Sequence, residues 1–167
     1  MDKNIITLTG FMGCGKTYVA NILAREIGYK LIDTDAEIVR RQGKNIPQII
    51  KEVGESGFRQ IEKDVIADLL KEDFLVLSVG GGAILHNADL LMQQSTVVFL
   101  DTPFELCFNR IKNDKNRPLA FGKSQEEVFQ LYSKRLPVYQ QNCHLAIKNP
   151  DGSESAKKIK EFLKNVD

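Results

Sequence analysis

Gly10-Phe11-Met12-Gly13-Cys14-Gly15-Lys16-Thr17 decides how the rest of the chain is read. It matches the phosphate-binding loop pattern G-x-x-x-x-G-K-[ST]. Upstream, Asn4–Thr9 is a short β-branched run that reads as a buried strand. Downstream, Lys16–Ile27 carries helical apolar spacing and stops at Gly28. Strand, glycine loop and helix together turn backbone N–H groups and a positive dipole end toward a phosphate chain. In that setting Gly13, Cys14 and Gly15 wrap the phosphates, Lys16 neutralises the β- and γ-phosphates, and the Thr17 hydroxyl binds Mg²⁺. The bland alternative is a chance glycine-rich turn, which the flanking strand and helix oppose.

The chain has 167 residues, enough for one domain with a full core, taken as residues 1–167. Its 43% hydrophobic and 27% charged residues are ordinary for a soluble globular protein. A net charge of +1 offers no bulk electrostatic case for a nucleic-acid partner. No apolar run is long enough to span a bilayer. The sequence enters its first strand at once, leaving no room for a signal peptide. Cys14, Cys107 and Cys143 are an odd number at unrelated spacings, so reduced thiols and a cytoplasmic location are expected.

Strands are predicted at Asn4–Thr9, Lys30–Ile32, Leu75–Val79, Thr96–Leu100 and Leu145–Lys148. Helices are predicted at Lys16–Ile27, Asp35–Gln42, Pro47–Val53, Glu55–Lys71, Asp89–Gln93, Pro103–Ile111, Gln125–Gln140 and Ser155–Asn165. This alternation implies an α/β fold of three layers, α/β/α, around a five-stranded parallel sheet. Ligands bind such sheets outside the carboxyl ends of the strands. The charged, weakly periodic stretch 112–124 reads either as a lid over the nucleotide or as a solvated connector.

Several residues fit chemistry at that edge. Asp33 and Asp35 follow the second strand; one suits a water-mediated Mg²⁺ contact and the other the acceptor hydroxyl. Helix capping is the competing use of either. The usual acidic residue of a phosphate-loop protein's second strand motif is missing, which leaves Asp33 as the metal-side carboxylate. Glu55, Arg59 and Glu62 share one helix face, so Glu62 can hold the Arg59 guanidinium. Such an arginine captures a carboxylate or phosphate, unless the face is a plain solvated ion pair. Gly80, Gly81 and Gly82 end the third strand, and their missing side chains admit a ligand to the backbone. Arg110, Arg117 and Arg135 remain, and Arg117 in the loop suits delivery of charge to a transferring phosphoryl group. His86 and His144 read as structural. The Cys14 thiol is either activated by Lys16 and the helix terminus or a small inert residue.

These pieces together resemble shikimate kinase. They are GFMGCGKT at 10–17, DTD at 33–35, GFRQIE at 57–62, SVGGG at 78–82, RPL at 117–119 and KRLPVY at 134–139. The resemblance covers nearly the whole chain. It implies transfer of the ATP γ-phosphoryl group to the 3-hydroxyl of shikimate, on the way to chorismate and aromatic amino acids. It also implies sheet order 2-3-1-4-5, a monomer, a lid near 112–124 and an acceptor-binding helical region near 35–62. By resemblance, Lys16 holds phosphates, Thr17 and Asp33 serve Mg²⁺, and Asp35 contacts the acceptor hydroxyls as base. Phe58 packs on the ring, while Arg59, Arg135 and Gly80–Gly82 take the acceptor. Arg117 reaches the phosphates from the lid, and Arg110 with Asn149-Pro150 borders the adenine. The rival readings are a gluconate or nucleoside monophosphate kinase, a GTPase (opposed by the lack of N-K-x-D), and a nucleotide-binding scaffold without catalysis.

Overall fold

The computed structural model describes residues 4–166, so residues 1–3 and 167 of the expected domain lie outside the described residues. The run before the phosphate loop forms β1 (Ile5–Thr9), with every side chain buried. β3 (Leu75–Ser78) is buried along its whole length, and β4 (Thr96–Asp101) in all but its last residue. Burial on both faces is what a central parallel strand requires, and it explains the unbroken apolar runs. β2 (Lys30–Asp33) and β5 (Leu145–Lys148) are more exposed and lie at the edges. Among the described residues the five strands form one parallel sheet in the order β2-β3-β1-β4-β5.

The helices are α1 (Lys16–Ile27), α2 (Thr34–Gln42), α3 (Ile46–Leu69), α4 (Ala83–Gln94), α5 (Phe104–Ile111), α6 (Gln125–Gln141) and α7 (Gly152–Val166). α1 packs with α7, and α4 packs with α3 and α6, so the sheet is covered on both faces. Capping boxes open α3 (Asn45 with Gln48) and α6 (Ser124 with Glu127). α3 and α2 pack together beyond the β2 edge, tied by Arg41, which bonds Glu37 and Asp68.

Most ends lie within two residues of the sequence reading, and three boundaries differ by more. The helices expected at Pro47–Val53 and Glu55–Lys71 run on as one element, kinked where Gly54 takes φ 75°. α4 starts at Ala83 rather than Asp89, directly off the glycine turn, and kinks at Asn87, whose side chain bonds the Ala83 carbonyl. α7 starts at Gly152, ahead of the expected Ser155. The stretch 112–124 has no long regular element. Local backbone bonds such as Arg117 N–H to the Asp114 carbonyl shape it into turns.

Candidate active site

All the polar strand ends predicted to carry chemistry emerge on one edge of the sheet. After β1, Gly13 (φ 76°) and Gly15 (φ 97°) bend the loop into the N-terminus of α1. At Gly13 a Cβ would stand 2.8 Å from Ile111 Cγ2 and 2.9 Å from the Cys107 carbonyl oxygen, so only glycine fits. The loop is pinned from two sides. The Thr102 hydroxyl donates to the Cys14 carbonyl at 2.7 Å, and Arg110 Nη1 donates to the Gly13 carbonyl at 2.8 Å. Lys16 Nζ reaches back over the loop to the Gly10 carbonyl at 2.9 Å. Cys14 borders the cavity yet is buried, its sulfur 3.6 Å from Lys16 Nζ.

The loop floors a cavity of about 630 Å³. Thr17 and Asp33 both line it, as do Arg110, Arg117 and Pro150. Asn149 is not on that wall. Its φ of 49° and its N–H bond to the Asp101 carbonyl turn the chain so that Pro150, Asp151 and Gly152 face the cavity. Asp33 does what the capping alternative required: Oδ1 accepts from the Ala36 N–H at 2.9 Å. It still borders the cavity, so capping and cavity duties share one carboxylate.

A second chamber of about 350 Å³ adjoins the first, with Phe58, Arg59, Glu62, Gly82 and Arg135 on its own walls. Asp35, Gly80, Gly81 and Arg117 line both chambers. Arg59 Nη1 donates to Glu62 Oε1 at 2.8 Å, and Glu62 is 1% exposed. The expected arginine–glutamate pair is therefore a buried holder rather than a solvated ion-pair face. The guanidinium also lies over the Phe58 ring at 5.2 Å. Gly82 lets it approach: a Cβ there would stand 2.5 Å from Arg59 Nη2. The Nε atoms of Arg59 and Arg135 are buried donors with no partner within the protein. Two such cations facing one chamber suit an anionic ligand that accepts from both.

Burial, then the Asp33 charge, raises the Asp35 carboxyl above its ordinary value, while Lys16, Arg59 and Arg117 oppose the rise. Burial likewise pushes Glu62 up, against the Arg59 charge. Burial and Arg59 hold His86 below the usual imidazole range. His144 Nδ1 accepts the Val97 N–H at 3.0 Å, a structural use. Arg117 pairs with Asp114 at 3.2 Å in its exposed loop. Sequence reasoning missed Met12 and Leu119 on the second chamber, Tyr18 on the first, and the Thr102 and Tyr139 hydroxyls that hold the loops. Among the described residues no group of three or more His, Cys, Asp or Glu could hold a metal, and no helix is long and apolar enough to cross a membrane.

Known proteins share this fold. The protein-family model for shikimate kinase matches residues 12–166. A shikimate kinase of Nitrosomonas europaea is 42% identical over 95% of this chain and 75% of its own length. One from Dehalococcoides mccartyi is 34% identical over 99% of this chain and 96% of its own. The solved shikimate kinase of Acinetobacter baumannii, in complex with shikimate, superposes with a TM-score of 0.90. It is 38% identical, covering 98% of this chain and 94% of that one.

Proposed function

The chain belongs to the shikimate kinase family, and from that premise we propose how its residues move the ATP γ-phosphoryl group to the 3-hydroxyl of shikimate. The first chamber takes ATP. Loop N–H groups and Lys16 hold its phosphates, and Arg110 and Pro150 flank its base. The second chamber takes shikimate, with Arg59 and Arg135 clamping the carboxylate and Phe58 against the ring. The shared wall is the observation that carries this reading. Asp35 and Arg117 border both chambers, so the acceptor hydroxyl and the γ-phosphate meet between them.

Phosphoryl transfer through a loose transition state asks the protein mainly for alignment and charge. Asp35 accepts from the 3-hydroxyl, orients its oxygen and takes the proton as the new P–O bond forms. Lys16 and Arg117 stabilise the charge on the phosphoryl oxygens, and the proton and ADP leave with the products. Thr17 and Asp33 offer hard oxygen donors in one cavity, a set that fits Mg²⁺ with its retained waters. When bound there with ATP, the ion neutralises phosphate charge. The odd number of cysteines, with Cys14 and Cys107 buried as free thiols, supports a reducing, cytoplasmic setting.

A coupled ADP-release assay over shikimate, gluconate, AMP, CMP and no acceptor tests the assignment. Turnover is expected with shikimate alone; activity with a monophosphate and none with shikimate would refute it. Lys16→Ala abolishes transfer. Arg59→Ala weakens shikimate binding by about 2–5 kcal/mol, the cost of truncating a buried charge contact, and spares nucleotide binding.

A further inference from the structure

One hydroxyl that lines neither chamber joins parts of the acceptor wall. Tyr139 on α6 is 0% exposed, and its ring stacks on Phe99 of β4 with centroids 5.3 Å apart. Its hydroxyl donates to the Gly81 carbonyl. Tyr139 stands one helical turn after Arg135, so the two side chains leave the same face of α6. Burial raises the phenol's pKa, and the nearby Arg135 charge opposes the rise. The phenol stays protonated and donates to Gly81 throughout the neutral range. Between Arg135 and Tyr139 stands Pro137, which has no N–H to give the preceding turn, so α6 lacks one backbone bond beside the arginine.

Gly81 sits between two contacts that matter to the acceptor. A Cβ at Gly80 would stand 3.1 Å from Asp35 Oδ1, and one at Gly82 would stand 2.5 Å from Arg59 Nη2. A shift of the Gly81 carbonyl therefore moves the surfaces against which Asp35 and Arg59 rest. We propose that Tyr139 is a positioning residue: by tying the Gly80–Gly82 turn to α6 it sets the spacing of Arg59 and Arg135 and thereby the affinity for the acceptor carboxylate. This rests on the reading above, in which the two arginines take that carboxylate.

Tyr139→Phe keeps the ring and its stack on Phe99 and removes only the tie. The test is steady-state kinetics of the full chain with shikimate and with shikimate methyl ester, alongside Arg59→Ala and Arg135→Ala. Leaving the part-buried Gly81 carbonyl without its tyrosine donor raises the shikimate KM about tenfold. The ATP KM is unchanged, and with the ester, which lacks the carboxylate charge, the variant and the parent are alike. Equal loss toward ATP, the same loss with the ester, or an unfolded phenylalanine variant makes the residue merely structural and overturns the proposal. So does an unchanged shikimate KM while both arginine variants raise it. If the arginine variants themselves leave the shikimate KM unchanged, it is the carboxylate clamp that fails, and the proposal falls with it.

Discussion

Asp35 is held at a cost. Its carboxyl is raised by burial and by Asp33, so the folded chain binds that proton more tightly than the unfolded chain does. Between the ordinary value of 3.8 and the raised folded value, the native state therefore carries more protons. Unfolding free energy then falls as pH rises through that window, so at neutral pH the Asp35 carboxyl counts against the fold. Asp35→Asn is expected to melt at a higher temperature than the parent at neutral pH. The gain should vanish below the unfolded value, where both carry no charge at this position, and turnover should be lost. Calorimetry across pH checks the sign; a lower melting temperature at neutral pH would contradict it. The cysteines separate in a similar way. Cys14 and Cys107 are buried while Cys143 is partly exposed, so alkylation of the native chain should label Cys143 first, read by peptide mass. Burial of the Cys14 side chain favours its reading as a small packed residue.

At the scale of elements, the turn from β3 to α4 has little room to spare. Gly82→Ala places a methyl against an arginine that Glu62 already holds. Such overpacking costs about 1–3 kcal/mol. The shikimate KM should rise while the ATP KM stays, and a parallel rise in both would show a general loss of the fold. Strand positions were legible because β1, β3 and β4 are apolar on both faces and bounded by turns. α4 was not: glycines, a histidine and an asparagine hid its first turn, which begins straight from the Gly82 cap. The Arg59–Glu62 pair was legible because it repeats within one helix turn. The Thr102–Cys14 and Tyr139–Gly81 bonds join residues 88 and 58 positions apart, so no local period announces them.

For the whole molecule, the two chambers and the stretch 112–124 form one working unit. The backbone bonds of that stretch are short-range turns, so its amides should exchange quickly in the free protein and slow when ADP and shikimate are both present. Hydrogen exchange read by mass spectrometry checks this; protection by neither ligand would make the stretch a connector and not a lid. Each ligand should also stabilise the fold, by about 2.7 kcal/mol at a hundredfold excess over its Kd. The common wall of Asp35, Gly80, Gly81 and Arg117 has a pharmacological consequence. The chambers meet at these four residues, so a nucleotide-like head and a cyclic carboxylate can be tethered by a linker a few atoms long. Binding of the first end raises the effective concentration of the second. A bisubstrate inhibitor of this kind would gain selectivity over other ATP-using enzymes from the end that reaches the arginines.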